Sequence, residues 1–171
     1  MRFPANDVIR LANIRESAVA AQIHALQQAA YLVEAERIGR ADFLPLRETI
    51  QVLQGSTDRF LVFLVCGSIV GCLSYESVGS NATITRLVVS PQHFRRGIAT
   101  ALLRSLDGRL PIGSSVYAST ADSNEPAIRA YEKHGYGTVS RKVSPEGIAL
   151  RRLQKTLCFP HKSGNRNEIE I

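Results

Sequence analysis

Tryptophan is missing from this 171-residue chain, methionine occurs once, and only 6% of the residues are aromatic. No apolar run approaches the roughly 20 residues needed to cross a bilayer. The opening stretch MRFPANDVIRL lacks the charged-then-apolar layout of a secretory signal. These absences predict a cytoplasmic protein with no membrane partner. Cysteine is scarce as well: Cys66, Cys72 and Cys158 are odd in number and scattered. If Gly67 and Ser68 form a hairpin turn, Cys72 faces Phe63 and not Cys66. At roughly 3.4 Å per strand residue, that offset exceeds the Cα separation of about 7 Å beyond which a disulfide cannot close. The thiols are therefore expected to be reduced.

Other absences remove whole classes of function. No zinc-ligand spacing, heptad, internal repeat or low-complexity run appears, and no metal site is expected. Neither Gly-x-Gly-x-x-Gly nor the Lys-Ser/Thr pair of nucleotide triphosphate loops is present. The chain carries a net charge of +6, and its excess is lopsided: residues 1–90 hold eight Lys/Arg against eight Asp/Glu, residues 91–171 thirteen against seven. A basic half points to an anionic ligand or to a solvated basic surface. Nucleic acid is not the expected partner, because the basic residues are not interleaved with stacking aromatics.

What is present describes one domain. At 44% hydrophobic residues the chain can build one core but not two comfortable ones. A strand from Val8 precedes a helix whose stripe is Val19, Ile23, Leu26, Ala30 and Val33. Pro45 is read as opening a second helix with Leu46, Ile50 and Leu53 inside and Gly55 at its stop. The stretch RFLVFLVCGSIVGCLSYES reads as a β-hairpin buried on both faces. A strand from Ala82 to Val89 follows, then a helix with Leu102, Leu103, Leu106 and Leu110 inward, and a strand SSVYAST. A helix from Asn124 to His134 is stopped by Gly135, and strands near Tyr136–Val143 and Ile148–Leu157 close the domain. The order βααβββαβαββ predicts an α/β fold, a mixed sheet with helices on both faces. Residues 1–157 form the domain, and residues 158–171 are read as an appendage able to mediate a homodimer.

The chemistry concentrates at two helix starts. In VVSPQHFRRGIATALL, residues 88–103, a strand runs through a turn into a helix at Gly97. The start of a helix carries unpaired N–H groups and partial positive charge, which suit phosphate, and glycine lets a ligand approach the backbone. Arg96, Gly97, Ile98, Ala99 and Thr100 offer successive N–H groups, with Arg95 and Arg96 adding charge. An ordinary strand-to-helix connection with exposed arginines is the plainer alternative. Further along, NEPAIRAYEKHGY, residues 124–136, has Asn124 as a cap, Pro126 in the first turn, and Ala127 and Tyr131 on one face.

With both stretches in hand the chain resembles the GNAT superfamily of acetyl-coenzyme A dependent acetyltransferases. Members usually read Arg/Gln-x-x-Gly-x-Gly/Ala at the phosphate turn and Asn-x-x-Ala-x-x-x-Tyr-x-x-x-Gly-Phe further on. Gly97 and Ala99, then Asn124, Ala127, Tyr131, Gly135 and Tyr136 stand at matching spacing, whereas the leading Arg/Gln falls on Phe94.

The resemblance implies acetyl-coenzyme A as co-substrate, a diphosphate held at residues 95–100, and pantetheine pairing with strand backbone at Leu87, Val88 and Val89. It implies that the strand ending at Val89 splays from its neighbour. It also implies that a small-molecule or peptide primary amine attacks the thioester directly while Tyr131 protonates the leaving sulfur. The acceptor amine must lose a proton to a base. His24, Gln27, Tyr31 and Glu34 share one face of the first helix, and the resemblance places that helix beside the acceptor. Glu34 is the first candidate base and Glu76 the second; a solvated helix face is the simpler account of this stripe. A module that binds or senses acyl-coenzyme A without transfer is the alternative function.

Overall fold

The computed structural model describes residues 8–39 and 44–158. The appendage read from residue 158 onward therefore lies outside the described residues, apart from Cys158. The elements are β1 (Val8–Ala12), α1 (Ser17–Ile38), a 3-10 turn (Leu44–Arg47), α2 (Ile50–Gln54), β2 (Arg59–Val65), β3 (Ser68–Val78) and β4 (Asn81–Val89). After a second 3-10 turn (Pro91–His93) come α3 (Ile98–Asp107), β5 (Ser115–Ala121), α4 (Glu125–Lys133), β6 (Gly137–Val143) and β7 (Ala149–Thr156). One seven-stranded sheet results, ordered β1-β2-β3-β4-β5-β7-β6. Every strand pair is antiparallel except β4 with β5.

Two apolar layers cover the sheet. Leu61, Phe63, Leu73 and Tyr75 pack on one face with Leu102, Leu103 and Leu106 of α3 and Tyr131 of α4. Phe60, Val62, Leu64 and Cys72 pack on the other with Ile23 and Leu26 of α1 and Leu53 of α2. This is why β2 is almost continuously buried: successive side chains alternate between two covered faces.

Two expectations need correction. The hairpin turns at Cys66 and Gly67, not at Gly67 and Ser68; both have positive φ, 48° and 82°, as a type I′ turn requires. A bulge between Phe63 and Leu64 then sets Cys72 opposite Val62 instead of Phe63. The three cysteines are free, with Cys66 and Cys158 exposed and Cys72 buried. The second helix does not begin at Pro45. Thr49 is extended (φ −91°, ψ 161°) and accepts a hydrogen bond from Val52 N–H at 3.3 Å, so it caps α2 and separates it from the 3-10 turn.

The second bulge matters more for function. Between Ser74 and Tyr75 the partner on β4 jumps from Arg86 to Ile84, leaving Thr85 as the extra residue. Before it, Ala82 and Ile84 face the α3 layer; beyond it, Leu87 and Val89 face that layer and Val88 faces α1. The bulge therefore reverses the inside–outside parity of β4. Here β4 also leaves β5, with which it pairs only at Ala82↔Val116 and Thr83↔Tyr117.

Gly71 on β3 sets how closely α3 can sit. A Cβ there would lie 2.6 Å from Ile98 Cγ2 and 3.2 Å from Leu102 Cδ1. Gly71→Ala is expected to cost about 1–3 kcal/mol by overpacking, read as a lower urea midpoint at unchanged slope. An unaltered midpoint would show that the start of α3 is free to move.

Candidate active site

The splay of β4 from β5 opens a cavity of about 1060 Å³. Ile84–Val89 line one side, Ser119–Ala121 the other, and the first turns of α3 and α4 close one end. Gly97 caps α3 in the left-handed region (φ 81°, ψ 6°) with no side-chain cap bond. The opening N–H groups of the helix are thus left without a partner from a cap, and Gly97, Ile98, Ala99 and Thr100 face the cavity. Arg95 is also left-handed, with φ 63°, a conformation that costs a non-glycine residue of the order of 1–3 kcal/mol. Arg95 lines the cavity with Phe94, whereas Arg96 does not. The residues present fit a diphosphate: unpaired helix N–H groups with one arginine beside them.

Asn124 joins the two halves. Its side-chain oxygen caps α4 by accepting from Ala127 N–H at 3.4 Å, and its side chain lies close enough to Glu34 of α1 to favour the ionised carboxylate. Tyr131, one turn beyond Ala127, lines the cavity with only 4% of its surface exposed. Its ring packs edge-on against Tyr136 at 5.2 Å between centroids. Burial pushes the phenol of Tyr131 well above the ordinary tyrosine range, and the nearby Glu34 and Tyr31 push it the same way. It stays protonated, and so is built to donate.

Glu34 is half-buried on the cavity wall. Burial raises its pKa above the usual carboxylate range, with the Asn124 side chain and the Arg37 charge opposing that rise. Glu76, the other candidate base, is exposed near the far end of β3 opposite Thr83 and does not line the cavity. The expected positions Leu87, Val88, Val89, Arg95, Gly97, Ile98, Ala99, Thr100, Asn124, Ala127, Tyr131 and Glu34 thus come together, while Arg96 and Glu76 stay outside.

The polar stripe of α1 is not a solvated face. His24 Nε2 meets the Glu48 carbonyl oxygen at 2.9 Å, and Gln27, wholly buried, donates to Glu48 Oε2 at 2.7 Å. Only Tyr31 and Glu34 of the stripe reach the cavity.

Sequence reasoning missed the cluster behind this wall. Arg86 binds Glu48 at 2.5 Å and Asp58 at 2.9 Å, and donates to Ser74 Oγ at 3.1 Å. Thr85 donates to Asp58 at 2.6 Å, and the Phe60 ring lies 5.7 Å from the guanidinium. Burial works to strip the proton from Arg86, but Glu48, Tyr31 and Asp58 more than offset it and raise its pKa. The available signal was a lone arginine inside the apolar run ATITRLVV.

Comparison with known proteins agrees with this geometry. A model of the acetyltransferase (GNAT) family matches residues 20–136. The UPF0157 protein YqkA of Bacillus subtilis is 33% identical over 136 residues, 80% of this chain; the chain spans only 40% of that relative's length. The ribosomal-protein-S18-alanine N-acetyltransferase of Escherichia coli superposes with a TM-score of 0.69 at 17% identity, covering 92% of this chain and 98% of that one. The PaiA N-acetyltransferase of Thermoplasma acidophilum, solved in complex with coenzyme A, gives 0.70 at 12% identity over 87% and 99%. No helix among the described residues is long and apolar enough to cross a membrane.

Proposed function

Since the chain belongs to the GNAT acetyltransferase family, which draws its acetyl group from acetyl-coenzyme A, we propose that it is an N-acetyltransferase acting on a primary amine by direct attack. Residues 1–157 would form the catalytic domain. One observation carries the reading: a single cavity is lined by the uncapped start of α3, the stretch of β4 freed from β5, and Tyr131.

Each residue then has a task. The N–H groups of residues 97–100, with the Arg95 side chain, bind the diphosphate. Beyond Thr83 the side of β4 that faced β5 has no strand partner, so backbone groups at Leu87–Val89 can bind pantetheine and polarise a carbonyl oxygen. When bound, acetyl-coenzyme A supplies the electrophilic thioester. Glu34 takes the proton that an ammonium acceptor must shed before its nitrogen can attack. Tyr131 donates its phenolic proton to the leaving sulfur. The apolar walls Ile84, Leu87, Val89 and Leu150 limit water around the reacting atoms.

Thiol release from acetyl-coenzyme A across an amine panel tests the reading, and silence with every amine would overturn it. Glu34→Gln is expected to lower kcat by about 10²-fold. In the unaltered protein a base must be ionised to act, so the rate falls as pH drops through the pKa of Glu34. Burial places that limb above the ordinary carboxylate range. The variant should lack this limb, and a limb that survives in it would remove Glu34 from the mechanism.

A further inference from the structure

The charge on the cavity wall is one-sided. Among the described lining residues Glu34 is the single carboxylate, against Arg37, Arg86, Arg95, Arg129 and Lys133. These cations have different partners. Arg95 stands beside the opening turn of α3, and Arg129 and Lys133 lie on α4, where Arg129 is paired to Glu125 at 2.7 Å. Arg86 is neutralised by Glu48 and Asp58.

Arg37 is the lining cation that shares a helix with Glu34. It lies three residues after Glu34 on α1, so the two side chains stand on one helix face with Cβ atoms about 5–6 Å apart. It is exposed, lines the cavity, and its charge acts on Glu34. Past it, Ile38 lines an adjoining cavity of about 520 Å³ together with Asp122, Ser123 and Gly147–Ala149, and the two cavities share Ile148. The carboxylate there is already engaged: Asp122 meets Arg151 at 2.6 Å and Arg141 at 3.5 Å.

From this arrangement we infer that the acceptor carries an anionic group a few bonds from its nucleophilic nitrogen, in the manner of an α-amino acid, with the amine at Glu34 and the anion at Arg37. The inference rests on the transfer reading above and narrows its substrate class. A polycationic acceptor is disfavoured by the same wall, since Glu34 is its single carboxylate while Arg37, Arg95 and Lys133 add positive charge, and like charges repel in a half-buried wall.

The test compares free α-amino acids with their carboxamides, and with spermidine and kanamycin, by thiol release. The carboxylate form should exceed its carboxamide in kcat/KM by about tenfold, the order expected of one charge-assisted hydrogen bond. In Arg37→Gln the ratio should collapse to about one, chiefly through the acceptor KM. A polycation or carboxamide preferred by the unaltered protein would overturn the inference while leaving transfer intact. So would a variant whose KM for acetyl-coenzyme A rises as much as that for the acceptor. Absence of turnover with every amine would overturn the transfer reading and this inference with it.

Discussion

Tyr131→Phe is expected to lower kcat by about 10²–10⁴-fold while acetyl-coenzyme A still binds and the domain still folds. The ring supplies packing: it is 96% buried and meets Tyr136 edge-on, contacts that phenylalanine keeps. In the proposed mechanism the hydroxyl supplies the proton. Because burial and the neighbouring Glu34 hold that proton on the oxygen, the donor stays loaded throughout the working pH range. Steady-state kinetics together with calorimetric titration of acetyl-coenzyme A separates the two contributions. Equal kcat in the variant would exclude the phenol as donor. A module that only senses acyl-coenzyme A would have no turnover to lose, so the unaltered protein itself decides between the two functions.

Arg86→Leu should be the most destabilising single change away from the reacting atoms. Arg86 is the common partner of Glu48 and Asp58, whose side chains are only 17% and 13% exposed. Removing it strands two carboxylates in a half-dry setting, and breaking a buried pair in this way costs about 3–5 kcal/mol. For a domain of this size that is a fall in Tm of roughly 10 °C. Adding Glu48→Gln and Asp58→Asn should recover part of the loss, because the cost lies in the stranded charges. A single variant within about 1 kcal/mol of the parent, a surface-pair value, would show that water reaches the cluster.

Several elements are legible without coordinates. The 3.6-residue spacing of Leu102, Leu103 and Leu106 marks the inner face of α3, and all three are buried. Gly97 and Asn124 cap helices because each has the local property its position needs, a positive φ in one case and a short amide acceptor in the other. The second helix is less legible. Leu46, Ile50 and Leu53 fit one stripe, but periodicity does not reveal that Thr49 becomes extended and caps a new helix.

The site divides along the same line. Tyr131 and the Gly97 turn carry their roles in short local patterns, and those patterns survive folding. Which carboxylate joins them is decided at long range: Glu34 comes near Asn124 from a helix 90 residues upstream, while Glu76 does not line the cavity. The Arg86 cluster is hidden for a related reason. An alternating strand puts Thr85 and Arg86 on opposite faces, and only the bulge against Ser74 lets consecutive residues both reach Asp58.

Local pattern therefore determined the strands, the starts of α3 and α4 and the place of Tyr131 on α4, since each depends on neighbours a few residues away. Tertiary structure alone decided which of the two candidate carboxylates lines the cavity, the partners of the buried arginine and the charge of the cavity wall. Those depend on one extra residue in β4 reversing its parity, and on α1 and the segment after it folding back against the sheet.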